Sequence, residues 1–189
     1  MNRKCEFTGE RCDWMNRKYE FTGEIMECMG RTLHRIRAVR DFGDVKAGDL
    51  GGWIETESNL SNDGNAWVYG NARVYGNAWV YGNARVSGNA RVSGNARVSG
   101  DAMVSGDAEV YGRKHILWIS MIGSRDDTVT FCRSKERKII VAVGCFSGTI
   151  DEFEKAVKET HGDNEHGKAY RLAIELAKLR IDLDKEENK

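Results

Sequence analysis

Residues 64–111 read GNAWVY GNARVY GNAWVY GNARVS GNARVS GNARVS GDAMVS GDAEVY, eight hexapeptides without an insertion. A period this short cannot bury its apolar residues within one unit, so successive units must stack into a solenoid. Ala and Val are the apolar positions that never vary: Ala66 and Val68, then Ala72 and Val74, onward to Ala108 and Val110. Extended residues alternate faces, so all of these point inward if the chain turns a corner between hexads. Gly-Asn and Gly-Asp supply that corner, since both tolerate the backbone angles of tight turns. The variable residues flanking each Val then point outward. A glycine in every hexad and the many β-branched valines exclude a helix. Without glycine at every third position, and with no proline, collagen is excluded too. Val and aromatic residues held in strict phase argue against a flexible low-complexity tract.

An aliphatic residue at i and a small one at i+4, repeating by six, resembles the hexapeptide repeat of left-handed parallel β-helices. That resemblance implies three hexads per triangular coil and a left-handed crossover. Eight hexads then give about two and two-thirds coils, stacked about 4.8 Å apart. Every third hexad shares a face. The first face carries Trp67, Arg85 and Met103, with Tyr69, Ser87 and Ser105. The second carries Arg73, Arg91 and Glu109, with Tyr75, Ser93 and Tyr111. The third carries Trp79 and Arg97, with Tyr81 and Ser99. The outward aromatic residues of the first coil mark either a contact surface or a patch covered by the preceding segment.

The 63 residues before the repeat hold two features. MNRKCEFTGE at 1–10 recurs as MNRKYEFTGE at 15–24, differing at Cys5 and Tyr19. Ten residues are too few for a domain, so residues 1–14 read as an added copy, expected to pack little, with Met15 as an alternative start. Arg31 to Arg40 reads as a strand with Leu33, Ile36 and Val39 apolar, and the Gly/Asp-rich segment 41–55 reads as the cap of the solenoid. The DF-x-DVKAG-x-x-GGW pattern from Asp41, followed by SNLSNDGNAWVYGNA, resembles the YdcK-type hexapeptide-repeat proteins of bacteria and prophages over about Arg37 to Gly112. That family carries a transferase-like label by fold analogy, and a fold alone does not give a function.

Periodicity changes at Arg113. His115–Ile122, Thr128–Cys132 and Lys138–Val143 read as strands, and Gly144 to Thr149 as a loop. Thr149 and Glu152 form a capping box for a helix burying Ile150, Phe153 and Val157 and ending at His161-Gly162. A second helix runs from about His166 to Leu183 with Tyr170, Ile174, Ala177 and Ile181 on one face. Its GSR and GCF-x-GT patterns resemble a module that accompanies phage-encoded proteins. The predicted divisions are 1–24, 25–62, 63–112 and 113–189: duplicated segment, strand and cap, β-helix, and α+β domain. The fold class is mainly β, a short left-handed parallel β-helix between a cap and an α+β domain.

Lys+Arg and Asp+Glu both number 29, which gives no global attraction to nucleic acid and excludes an acidic DNA mimic. No apolar run approaches 18 residues and the N-terminus lacks a signal-peptide core, so the reading is cytoplasmic with no membrane partner. Five cysteines without a CxxC pair fit reduced thiols, and no metal or cofactor is expected. Hexapeptide acyltransferases place a catalytic His on or beside a coil, usually with an extended loop; here His34, His115, His161 and His166 all lie outside the repeat, and no catalytic residue is assigned. Cys145 reads as a small buried residue in a strand-to-helix turn, with thiolate chemistry at a helix N-terminus, using His161 or His115 as base, as the alternative. Arg125, Ser147 and Thr149 are candidate anion ligands, for a nucleotide or other small molecule.

The outward residues Trp67, Tyr69, Arg73, Trp79, Tyr81, Arg85, Arg91 and Arg97 form the candidate partner surface, with nucleic acid as a further possibility for the arginines interleaved with aromatic rings. Bare coil ends or faces would favour a homo-oligomer. The resemblances imply a phage or prophage accessory protein that binds, and inhibits, a host bacterial protein such as a component of antiviral defence. Small-ligand binding and acyl transfer are the alternatives.

Overall fold

The computed structural model describes residues 17–184; residues 1–14, read above as an added copy, lie outside that range. The hexads form eight two-residue strands: β4 (Trp67–Val68), β5 (Arg73–Val74), β6 (Trp79–Val80), β7 (Arg85–Val86), β8 (Arg91–Val92), β9 (Arg97–Val98), β10 (Met103–Val104) and β11 (Glu109–Val110). Parallel pairing runs β4–β7–β10, β5–β8–β11 and β6–β9, with Trp67 opposite Arg85 and Val74 opposite Val92. Three hexads therefore close one coil, and the three faces carry the residues that the hexapeptide-repeat resemblance assigns to them. Every Ala and Val of the repeat is at most 1% exposed.

The corners explain the invariant residues. All eight repeat glycines have φ between +56° and +71°, the left-handed region that costs other residues about 1–2 kcal/mol. Most also stack closely on the coil below: a Cβ on Gly64 would lie 2.5 Å from the Gly82 carbonyl oxygen. Four of the asparagines that follow the repeat glycines link coils by donating from the side-chain amide. Asn65 donates to Asn83 (3.2 Å), Asn83 to Asp101 (2.9 Å), Asn77 to Asn95 (3.4 Å) and Asn89 to Asp107 (3.3 Å). Aspartate accepts but cannot donate onward, which suits it to the last coil.

The solenoid begins before the repeat. β3 (Leu50–Ile54) pairs in parallel with β5, placing Ile54 beside Val74, and Leu60 bridges to Val80. Ile54 and Leu60, at most 1% exposed, are thus two further inward rungs. The GGW pattern is explained here: a Cβ on Gly51 would meet Ile36 and Trp67 at 2.5 and 2.7 Å, and one on Gly52 the Ala72 carbonyl oxygen at 2.6 Å.

The antiparallel hairpin β1 (Tyr19–Cys28) and β2 (Arg31–Ala38) adds to β3, so one face becomes a six-stranded sheet, β1-β2-β3-β5-β8-β11. β1 crosses the expected 24/25 division. Tyr19, which distinguishes the second decapeptide copy from the first, is 5% exposed; its hydroxyl donates to the carbonyls of Leu60 (3.0 Å) and Glu57 (3.2 Å). Lys18 is fully buried, its Nζ donating to the Ala66 carbonyl (2.7 Å) above the Phe42 ring. Burial lowers its pKa to about 8.

The C-terminal region is the four-stranded antiparallel sheet β12 (Ile116–Ile122), β13 (Asp127–Arg133), β14 (Ile139–Val143) and β15 (Phe146–Thr149), with helices α1 (Ile150–His161) and α2 (Glu165–Arg180). The expected loop 144–149 is mostly strand β15, because a turn at Gly144 (φ +53°) folds the chain back onto β14. Thr149 caps α1 in a capping box with Glu152, Gly162 ends it, and Asn164 caps α2. Phe153, Val157, Tyr170, Ile174 and Ala177 pack with Val129, Phe131 and Val141 of the sheet. Ile116 and Cys132 join the solenoid core instead, and Ala108 bridges to Ser134. The sheet thereby covers the last coil, so the open coil end that favoured self-association is absent among the described residues.

Candidate functional site

The outward residues divide into three environments. On the first face Trp67 is not a surface residue: it is 1% exposed, edge-on to Tyr19 (6.2 Å) and Phe42 (5.3 Å). It points away from its own coil, as expected, but the N-terminal cap covers it. Tyr69, half-buried, donates to Asp44 (3.2 Å), and Arg85 is ion-paired with the same carboxylate (3.0 Å). Burial, with the Asp44 charge beside it, pushes the Tyr69 hydroxyl up to about 12. This face is a docking strip for the cap.

The second face continues the cap sheet in one row, Arg35, Trp53, Arg73, Arg91, Glu109. The Arg35 guanidinium lies over the Trp53 ring (5.3 Å). Arg73 Nε and Trp53 Nε1 are buried without a hydrogen-bond partner. Arg91 pairs with Glu109 at 3.4 Å.

The third face remains open. Trp79 is 36% exposed and stacks on Tyr81 with ring centroids 4.1 Å apart and planes 21° apart. The Arg97 guanidinium lies over the opposite coil position, 5.5 Å from the Trp79 ring. Beside Trp79 is a groove of about 390 Å³ whose walls include Tyr19, Glu57 and Asn62. Trp67 and Trp79 occupy identical GNAWVY hexads; tertiary context alone makes one core and the other surface.

The anion candidates are less convergent. Exposed Arg125 does approach the Gly144 turn: a Cβ there would lie 2.4 Å from its guanidinium, but also 3.2 Å from the Asp127 carboxylate. Ser147 is exposed on β15. The Thr149 hydroxyl and amide both donate to Glu152, whose carboxyl these bonds hold below its usual range. An anion at this loop would meet two carboxylates.

Cys145 is exposed, not buried. Strand β15 separates it from α1, which removes the helix-terminus argument for a thiolate. The His161 ring lies against His166 and Tyr170. His115 is 3% exposed, its Nδ1 accepting from the Tyr111 amide (3.3 Å). Among the described residues no three His, Cys, Asp or Glu side chains group as metal ligands, and no helix is long and apolar enough to cross a membrane.

Two groups escaped sequence reading. Leu172, Leu176 and Leu179 stand 73%, 41% and 81% exposed along α2; their 4–3 spacing was visible beside the buried stripe. The charged β13–β14 turn places Lys135 and Arg137 beside the second face of the solenoid.

These observations define a β-solenoid repeat protein with both coil ends covered. The repeat matches the YdcK β-solenoid repeat family at residues 66–82, 78–94, 84–98 and 96–112. The chain is also 51% identical over 37 residues to an Escherichia coli (strain K12) protein named Uncharacterized acetyltransferase YdcK; that stretch is 20% of this chain and 11% of the relative. The similarity thus spans about one tenth of the relative's length, and supports a YdcK-type β-solenoid here.

Proposed function

We propose that this protein is a non-enzymatic binding module whose third solenoid face engages a protein partner. The observation that carries this reading is the exposed Trp79–Tyr81 stack under Arg97. Trp, Tyr and Arg dominate interface energetics, and a rigid parallel sheet holds these three without loop ordering on binding. The finer reading is a prophage accessory protein whose partner is a host bacterial protein, such as a defence component that it inhibits. Acetyl transfer is the name of the relative; here the four histidines lie outside the coils. The test is affinity capture from bacterial lysate with the wild type and with Trp79→Ala/Arg97→Ala, folding being checked by circular dichroism. A protein recovered in stoichiometric amount by the wild type and lost by the variant supports the reading. Equal recovery by a folded variant rejects this face.

Self-association has its own observation in the α2 leucines. Their d–a–d spacing suits packing against the same stripe of a second copy. Sedimentation equilibrium should show a dimer for the wild type and a monomer for Leu172→Glu/Leu179→Glu; a monomeric wild type would end this assignment.

A further inference from the structure

We infer that the start of the second solenoid face, where strands β2, β3 and β5 lie side by side, is a binding site for a small oxyanion carrying two negative charges. This site is separate from the third face and does not depend on the partner reading.

The observation that carries it is a row of donors without acceptors. Arg35, Trp53 and Arg73 are direct cross-strand neighbours, one on each of three adjacent strands. Arg35 Nε, Trp53 Nε1 and Arg73 Nε are buried, and none has a hydrogen-bond partner. Among the described residues these are the three buried side-chain nitrogen or oxygen atoms in that condition, and all fall in this one row. A buried donor left without an acceptor is costly, and three side by side point to an acceptor that they share. Adjacent strands lie about 4.8 Å apart, and Arg35 already leans inward, its guanidinium 5.3 Å from the centre of the Trp53 ring. A water oxygen has two lone pairs and cannot accept from all three donors, whereas an oxyanion can.

Charge sets the class of ligand. The neighbouring arginines are matched: Arg31 with Glu55 (2.9 Å), Arg37 with Glu20, and Arg91 with Glu109 (3.4 Å). Arg35 and Arg73 form no ion pair among the described residues. Two guanidinium groups therefore flank one indole with no carboxylate between them, and a dianion neutralises both. Trp53 is 7% exposed and packs with Cys28 and Leu33; these apolar surroundings strengthen charge-assisted hydrogen bonds to a bound anion. Arg35 and Arg73 are half-buried, so part of each side chain meets solvent while its Nε lies beneath, and a ligand enters between the two. Guanidinium groups match the oxygens of carboxylate and phosphate alike, so the shared chemistry is that of a compact dianion.

The test observes the donors themselves. The full chain labelled with nitrogen-15 is titrated with inorganic phosphate and, separately, with malonate at 0.15 M salt, where attraction between exposed charges is largely screened. In proton–nitrogen NMR spectra the indole N–H of Trp53, assigned with Trp53→Phe, should move saturably, and the Nε–H signals of Arg35 and Arg73 should follow with the same dissociation constant. The indole signals of Trp67, Trp79 and Trp118 should stay in place. Saturation by phosphate alone assigns a phosphate group, by malonate alone a dicarboxylate, and by both a general dianion site. Arg73→Gln should weaken binding at least tenfold with the rest of the spectrum unchanged, and Arg35→Gln serves if that variant misfolds. Trp79→Ala/Arg97→Ala, which removes the third face, should bind the anion as the wild type does. A Trp53 indole signal that moves in neither titration, or an affinity unchanged in the folded arginine variant, overturns the assignment.

Discussion

Alanine substitutions at two repeat glycines separate the two demands that a corner makes. Gly94 and Gly106 have nearly the same backbone, φ +56° and +63°. At Gly106 a new Cβ would meet nothing within 4 Å; at Gly94 it would lie 2.3 Å from the Tyr111 carbonyl oxygen. Both variants incur the left-handed penalty of about 1–2 kcal/mol, offset by about 0.4–1 kcal/mol through the stiffer unfolded chain. Gly106→Ala should therefore cost about 1 kcal/mol or less. Gly94→Ala must also push a backbone carbonyl away, and that carbonyl belongs to the next coil. Opening the stack strains inter-coil bonds such as Ser93 N to Val110 O (2.8 Å), each worth about 1 kcal/mol, and opens the Val column. About 3 kcal/mol or more is expected in total. At about 2–4 °C per kcal/mol for a chain of this size, Tm should fall by about 6–12 °C for Gly94→Ala and by no more than about 4 °C for Gly106→Ala. Thermal and urea unfolding, followed by tryptophan fluorescence and circular dichroism, measure the Tm and free-energy losses of both variants. Equal losses would refute the stacking argument and leave the backbone angle as the sole requirement.

Trp67→Ala should cost about 3–5 kcal/mol, as for a large core side chain, whereas Trp79→Ala, in the same hexad sequence, should cost about 1 kcal/mol or less; chemical denaturation of the two variants compares them. Lys18 carries a penalty wherever it is charged in the folded chain, below its lowered pKa of about 8. The unfolded chain keeps that proton to about 10.5, so this penalty is relieved as pH rises between the two values. Wild type should therefore gain about 2 kcal/mol relative to Lys18→Met between pH 7 and 10, a comparison in which the raised tyrosine and Cys132 groups cancel; a difference constant with pH would contradict it. Thr149→Ala should remove the α1 cap at a cost of about 1 kcal/mol, seen as a lower urea midpoint.

The coil was legible because its cause is local. Gly at each corner, Ala and Val inward and a period of six follow from the residues, and the resemblance to hexapeptide repeats, which implies three hexads per coil, adds the pairing of Trp67 with Arg85 and of Arg73 with Arg91. The capping box at Thr149 and Glu152 was legible for the same reason. What the sequence did not reveal depended on distant partners. Ile54 and Leu60 continue the inward column, but the extra residues between Ser61 and Gly64 break the register that would have exposed them. Strand β1 was missed because exposed residues separate its buried ends, Tyr19 and Cys28. The burial of Trp67 required Tyr19 and Phe42, far away in the chain. The Tyr75–Ser93–Tyr111 row could be written down from the repeat, but that Lys135 and Arg137 fold beside it could not.

In the proposed function the open third face of the solenoid meets a protein. Placing the photoreactive amino acid p-benzoylphenylalanine at Tyr81 keeps an aromatic ring beside Trp79 and marks whatever touches it in living bacterial cells. The same residue at exposed Lys155 on α1 serves as the control. One discrete protein adduct at position 81, absent at position 155 and identified by mass spectrometry, is the predicted result. No adduct at position 81, or the same adducts from both positions, would contradict the claim.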